Sequence, residues 1–157
     1  MNSHCQFVIV FIAALIIATL FNSPFFNPAQ ATNQQLKQAG SAEGVKKIFA
    51  QWGEAGKRAA RRNLMLDWLF IAVYVAMWLA AGRNFWPQLL LTKFAVGVGL
   101  LGALADIVEN IHLRMLLNGD VTDKIAHTCK LASSVNVTLF SLAMLYFMVA
   151  AIASGCR

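Results

Sequence analysis

Three apolar runs, at 65–81, 89–108 and 131–154, and a shorter one at 7–21, constrain this chain more than any other feature. All four are rich in Leu, Ile, Val, Phe and Ala and show no strand-like alternation, so each reads as helix. Hydrocarbon is crossed as helix by roughly 17 to 25 apolar residues, a length the last three runs supply and the first falls just short of. In lipid every backbone polar group must be satisfied within the spanning segment, which helices achieve and open strands do not. Composition agrees: 59% of the 157 residues are apolar, 13% are charged and the mean hydropathy is +0.61. Soluble domains carry about 25% charged residues, so no room is left for a soluble domain here. The expected fold is an all-α integral membrane bundle of four transmembrane helices, or three if the first run is a cleaved signal peptide, with one interfacial amphipathic helix.

The first run is the ambiguous one. The stretch "NPAQA" places Ala29 and Ala31 at small-residue positions suited to signal peptidase, after Pro24 and Pro28. Against cleavage, residues 1–6 contain no Lys or Arg, whereas a signal peptide opens on fixed positive charge. Charge distribution speaks more strongly. Lys37, Lys46, Lys47, Lys57, Arg58, Arg61 and Arg62 all fall between the first and second runs. Placing that segment in the cytosol, with Arg114, Lys124 and Lys130, puts ten of the 13 basic residues inside and leaves Arg83, Lys93 and Arg157 outside. The expected location is therefore a bacterial inner membrane, with the basic loop 32–63 cytosolic. The chain divides into 1–31, first helix or signal peptide with linker; 32–63, basic amphipathic segment; and 64–157, a three-helix core. On this orientation Cys5 and Cys156 share the outer face, where a disulfide can persist, and Cys129 sits at the inner one.

Residues 22–40, rich in Pro, Asn and Gln, read as a linker. Beyond Ser41, a fitting N-cap, Val45, Ile48, Phe49 and Trp52 recur at the spacing of one helical face, with Lys46 and Lys47 elsewhere. This is the pattern of an interfacial helix. Lys46, Lys47, Trp52, Lys57, Arg58, Arg61 and Arg62 form its membrane surface, with anionic lipid as the expected partner and no nucleic acid. The simpler alternative is that these cations only retain the segment inside.

Ionisable groups near hydrocarbon cost several kcal/mol unless they face a partner or water, so those in the spans are the candidate site. Asp67 begins the second run and Tyr74 follows two turns on; Asp106, Glu109 and Asn110 end the third; Lys130 opens the fourth. Three separate segments thus contribute polar groups at one depth, on the cytosolic side, with Tyr74 about two turns deeper. Asp106, Glu109, Asn110 and Leu113 share a helical face with Gly102, Gly99 and Ala95, small residues that allow close packing in lipid, which places the third helix at the bundle centre. Candidate counter-charges are Lys130, Arg114, Arg61 and Arg62. Glu109 and His112 also stand in the Glu-x-x-His spacing of di-iron bundles, but that pair occurs once where such sites need it twice, so no metal and no cofactor is expected. Ser134, Thr138 and Ser141 make a mild polar stripe on the fourth helix. No nucleophile motif or phosphate-cradling loop is present.

Trp52, Gly53, Asp67, Phe70, Tyr74, Asp106, Glu109 and Asn110 together resemble a family of small polytopic bacterial membrane proteins without a characterised activity, marked by Asp-x-x-Glu-Asn in a transmembrane helix. The likeness spans roughly residues 45–155 and implies a shared fold. A second resemblance, to prokaryotic diacylglycerol kinase, rests on acidic and Asn residues in a membrane helix beside a surface helix; the spacing of Asp106, Glu109 and Asn110 departs from that enzyme's pattern. The functional expectation is non-catalytic binding of a lipid headgroup or of a membrane-protein partner, a second copy of the chain included, by the cytosolic-side cluster. The alternatives are a headgroup-modifying enzyme with Glu109 or Asp106 as base, and a small cation or proton transporter.

Overall fold

The computed structural model describes residues 33–84 and 89–154. The first apolar run, the cleavage question, Cys5 and Cys156 lie outside the described residues. Every described element is an α-helix: α1 (Asn33–Gln38), α2 (Ala42–Asn84), α3 (Leu90–Asn118) and α4 (Asp123–Ser154). Three of them, over Ala42–Arg83, Leu90–Asn118 and Asp123–Ala150, are long and apolar enough to cross a membrane. Their surfaces agree, since Leu69, Leu90, Phe94, Leu101, Leu145 and Ile152 are exposed, as lipid-facing side chains would be.

α3 packs along both α2 and α4, while α2 and α4 touch each other little. The cause is the small-residue face of α3. Ala95, Gly99, Gly102 and Ala103 are buried on it together with Asp106, Glu109, Asn110 and Leu113. A Cβ added at Gly99 would stand 2.9 Å from the indole of Trp78, and one at Gly102 would stand 3.4 Å from the α4 backbone at Phe140. Hydrogen at these two positions makes room for the Trp78 indole and for the α4 backbone.

α3 ends where Gly119, at φ 105°, takes the left-handed conformation that only glycine adopts cheaply. Its N–H bonds the Leu116 carbonyl at 3.0 Å and that of Asp120 bonds Met115 at 3.0 Å, a Schellman closure. α4 then starts at Asp123, eight residues ahead of the apolar run, with the Thr122 hydroxyl capping the Ile125 N–H at 3.3 Å. His127 is therefore helical and exposed. Asp123 also accepts the Ala42 N–H at 2.7 Å, tying the starts of α2 and α4 together.

Within α2, Gly53 has φ 57° and ψ −165°, so the helix breaks there and two arms meet at an angle. The first arm carries Val45, Ile48, Phe49 and Trp52. Val45 is fully buried and the other three half-buried against Leu36, Leu113, Leu116, Ala126 and Cys129. The apolar stripe thus covers the polar-segment end of the bundle, and Lys46 and Lys47 face outward. The stretch read as linker is also partly structured: α1 inserts Leu36, fully buried, into this same core and ends at Gln38, two residues before Gly40 at φ 66°.

Candidate functional site

The acids of the long apolar helices converge. Asp67, Phe70 and Tyr74 lie three and four residues apart on α2, one face, and meet Asp106 and Glu109, three apart on α3. Asp106, Glu109, Asn110 and Tyr74 are buried, and Asp67 is half-buried. The Tyr74 hydroxyl donates to Asp106 Oδ2 at 2.9 Å. One oxygen each from Asp67, Asp106 and Glu109 lies within 4.8 Å of the others. Asn110 is also fully buried, and neither atom of its amide finds a hydrogen-bond partner among the described residues.

The cation that answers these acids is Lys37, from α1. Its ammonium ion-pairs with Glu109 and stands 3.7 Å from Asp67. Leu36, one residue before, anchors α1 in the apolar core and so aims Lys37 at the acids. Burial opposes the charge on Lys37, but the fields of Asp67 and Glu109, with a weaker one from Asp106, outweigh it and hold its pKa above the usual lysine value. Ser133 stands beside the Glu109 carboxylate, yet Glu109 Oε2 accepts no hydrogen bond within ordinary limits.

A partly open cavity of about 180 Å³ adjoins the cluster, lined by Lys37, Asp67, Tyr74 and Asp106 on its charged side. Phe70, Val137 and Phe140 supply apolar wall, and Asn136 and Ser141 add neutral polar groups from α4. Aromatic contacts hold this wall in place: Tyr74 meets Phe70 and Phe140 edge-on with centroids 5.4 Å apart, and Phe140 meets Trp78 at 5.5 Å.

Of the residues singled out in the sequence, Asp67, Tyr74, Asp106 and Glu109 are brought together, with Asn110 buried on the same face of α3. Lys130 is not among them: it is exposed, with its aliphatic stem against Gly40. Arg61 turns away from Asp67 and donates to the Leu117 carbonyl at 2.7 Å, meeting the negative end of α3. His112 bonds the Val108 carbonyl of its own helix at 2.7 Å, so the carboxylates near Glu109 are Asp67 and Asp106, and His112 is not grouped with them. Lys57 pairs with Glu54 at 2.9 Å and covers the Phe49 ring at 5.2 Å. Trp52 donates its indole N–H to Gln35 at 3.1 Å. Lys46, Arg58 and Arg62 are exposed, as is Lys47, which pairs with Glu43 at 3.1 Å. Ser134 and Thr138 bond carbonyls one turn back on α4, at 3.0 and 2.9 Å, so of that stripe only Ser141 lines the cavity.

Sequence reasoning missed Lys37 as the counter-ion because it lay in a stretch read as linker. A signal was present nonetheless. The stretch "LKQAG" places a Lys beside an apolar anchor, three residues before a glycine of positive φ. No protein-family model, curated protein or solved structure matches this chain.

Proposed function

We propose that this is a multi-pass protein of a bacterial inner membrane that binds a phosphate-bearing lipid headgroup, without turnover, in the cavity beside Asp67, Tyr74 and Asp106. The observation that carries the reading is the mixed lining. A headgroup needs charged and polar atoms continuous with apolar wall, and Lys37, Asn136 and Ser141 share the lining of about 180 Å³ with Phe70, Val137 and Phe140. Leu66, Leu69 and Val73 on α2 are exposed, apolar surface against which acyl chains would lie.

A binding role is favoured over catalysis because the two acids that could act as base are already engaged, Asp106 by the Tyr74 hydroxyl and Glu109 by Lys37. The exposed cations Lys46, Lys47, Arg58 and Arg62 gather at the same end of the bundle, which supports a cytosolic placement of that end against anionic lipid. Membership of the uncharacterised Asp-x-x-Glu-Asn group is part of this proposal, through Asp106, Glu109 and Asn110.

The test is native mass spectrometry of the full chain purified from its membrane in mild detergent. We expect phospholipid adducts on the native protein and their loss in the Asp106→Asn, Glu109→Gln double variant. Unchanged lipid retention by a folded double variant would overturn the assignment of the cavity. Adducts that are lost instead on replacing Lys46, Lys47, Arg58 and Arg62 would place the lipid at the basic surface.

A further inference from the structure

We propose that Asp67, Asp106 and Glu109 form a binding site for a hard divalent cation of the Mg²⁺ and Ca²⁺ class, and that Lys37 fills it when the ion is absent. Such ions take oxygen ligands at about 2.0 to 2.6 Å, so oxygens on opposite sides of one ion stand about 4 to 5 Å apart. The three carboxylates already offer one oxygen each within 4.8 Å of the others. They come from two helices held in register by the Gly99–Trp78 contact, so the ligand set does not depend on a loop.

Two further observations point to a ligand. A cation already occupies the cluster, since the Lys37 ammonium lies against Glu109 and Asp67. The site is also left under-coordinated by it: the Glu109 side chain is 1% exposed, and its Oε2 still has no hydrogen-bond partner among the described residues. A single ammonium faces three carboxyl groups, and a divalent ion would balance more of their charge than it can. Lys37 can leave without moving the helices, because its side chain is long, keeps 19% exposure and springs from the short helix α1.

This inference rests on the headgroup reading for its biological sense and supplies what that reading lacks. A phosphate entering an acid-lined cavity meets repulsion. A divalent ion held by carboxylates keeps coordination positions for phosphate oxygens, and the released Lys37, itself a lining residue, becomes a second phosphate partner. The cavity of about 180 Å³ beside the cluster has room for those oxygens or for water ligands.

The experiment is a Mn²⁺ titration of the full-length, delipidated protein in detergent, read by loss of the free-ion paramagnetic resonance signal, with Mg²⁺ and Ca²⁺ as competitors. We expect stoichiometric Mn²⁺ binding reversed by the competitors, weakened roughly tenfold or more in Asp106→Asn. In Lys37→Met, which removes the internal competitor, binding tightens roughly tenfold, and Mn²⁺ raises its Tm more than that of the native chain. If Lys37→Met does not fold without the ion, the comparison of native protein with Asp106→Asn carries the test. A native chain that leaves the Mn²⁺ signal unchanged, or an Asp106→Asn variant that binds as well as the native one, overturns the site. Lipid retention is scored separately with and without chelator. Mn²⁺ binding without lipid adducts removes the headgroup reading alone; chelator-insensitive adducts without Mn²⁺ binding remove the cation site alone.

Discussion

At the level of Trp78 the three spans meet through rings, whereas at the level of Asp106 they meet through charges and a cavity. Trp78 and Phe147 are fully buried and stacked with centroids 5.5 Å apart, and Ala81, Ala95, Ala143 and Ala150 close in around them. One turn of α3 beyond Ala103, the same helix presents Asp106, Glu109 and Asn110, and α1 must reach in with Lys37. The first region is satisfied by shape. The second is satisfied only while each charge keeps its partner, and it holds a cavity and, in Asn110, a buried amide without a hydrogen-bond partner among the described residues.

The largest effect separating the two regions is expected from Lys37→Met. It strands Glu109, whose side chain is 1% exposed, without its ion pair. Breaking a buried pair from one side costs about 3 to 5 kcal/mol. Thermal unfolding in detergent should show that loss, and the double change Lys37→Met, Glu109→Gln should recover most of it. If the single and double variants melt alike, the ion pair is not what holds this end together.

At the ring end the corresponding break is steric. Gly99→Ala puts a methyl 2.9 Å from an indole that is itself stacked and cannot swing aside, so a cost of about 1 to 3 kcal/mol is expected, as for other overpacked cores. Gly97→Ala, on the same helix with nothing within 4 Å of the added atom, is the control and should not lower the Tm. Equal losses at both positions would mean that glycine flexibility, not the close approach to Trp78, is what α3 requires.

These two positions also show what could be read from the sequence. Gly99, Gly102, Asp106 and Glu109 share a face because helical periodicity makes them do so, and periodicity is local. That was enough to place α3 centrally and to gather the acids. Whether Val45 and Trp52 face lipid or protein is not local: the same stripe suits either, and it is Leu113 and Leu116, far along the chain, that cover it. Lys37 was hidden for the same reason, since its partners are on α2 and α3 and nothing in α1 alone announces them. Hydropathy likewise finds only the hydrocarbon-facing part of a helix, so the start of α4 at Asp123, set by capping at Thr122, lay outside the apolar run.

A smaller change tests the seam between the regions. Tyr74 belongs to both, with its ring edge-on to Phe140 and its hydroxyl on Asp106. Tyr74→Phe keeps the ring and removes the donor, so the aromatic packing should persist while Asp106 loses its hydrogen bond. Hydrogen bonds to charged groups contribute about 1.5 to 3 kcal/mol. The variant should therefore be less stable than the native chain by that order, and should regain stability when Asp106→Asn is added. A Tyr74→Phe variant as stable as the native protein would show that Asp106 has another donor, such as the lipid or water held in the cavity.

The smallest effect is expected at Thr92 and Tyr146, whose hydroxyls bond at 2.6 Å between the start of α3 and the far part of α4. This is a polar contact in the ring region, and it sharpens the comparison because it differs from the Asp106 contact in charge, not in kind. Both hydroxyls are neutral, and Thr92 is fully buried. Interhelical hydrogen bonds of this type in membrane proteins contribute about 0.6 kcal/mol on average, because the separated helices also find partners. Thr92→Val preserves shape and should lower stability by about that amount, several-fold less than Lys37→Met, in the same unfolding assay. The two regions then differ as charge and shape predict: where packing is complete a lost hydrogen bond is nearly neutral, and where charge is buried a lost partner is not. A Thr92→Val cost as large as that of Lys37→Met would erase the distinction and make both ends polar-locked.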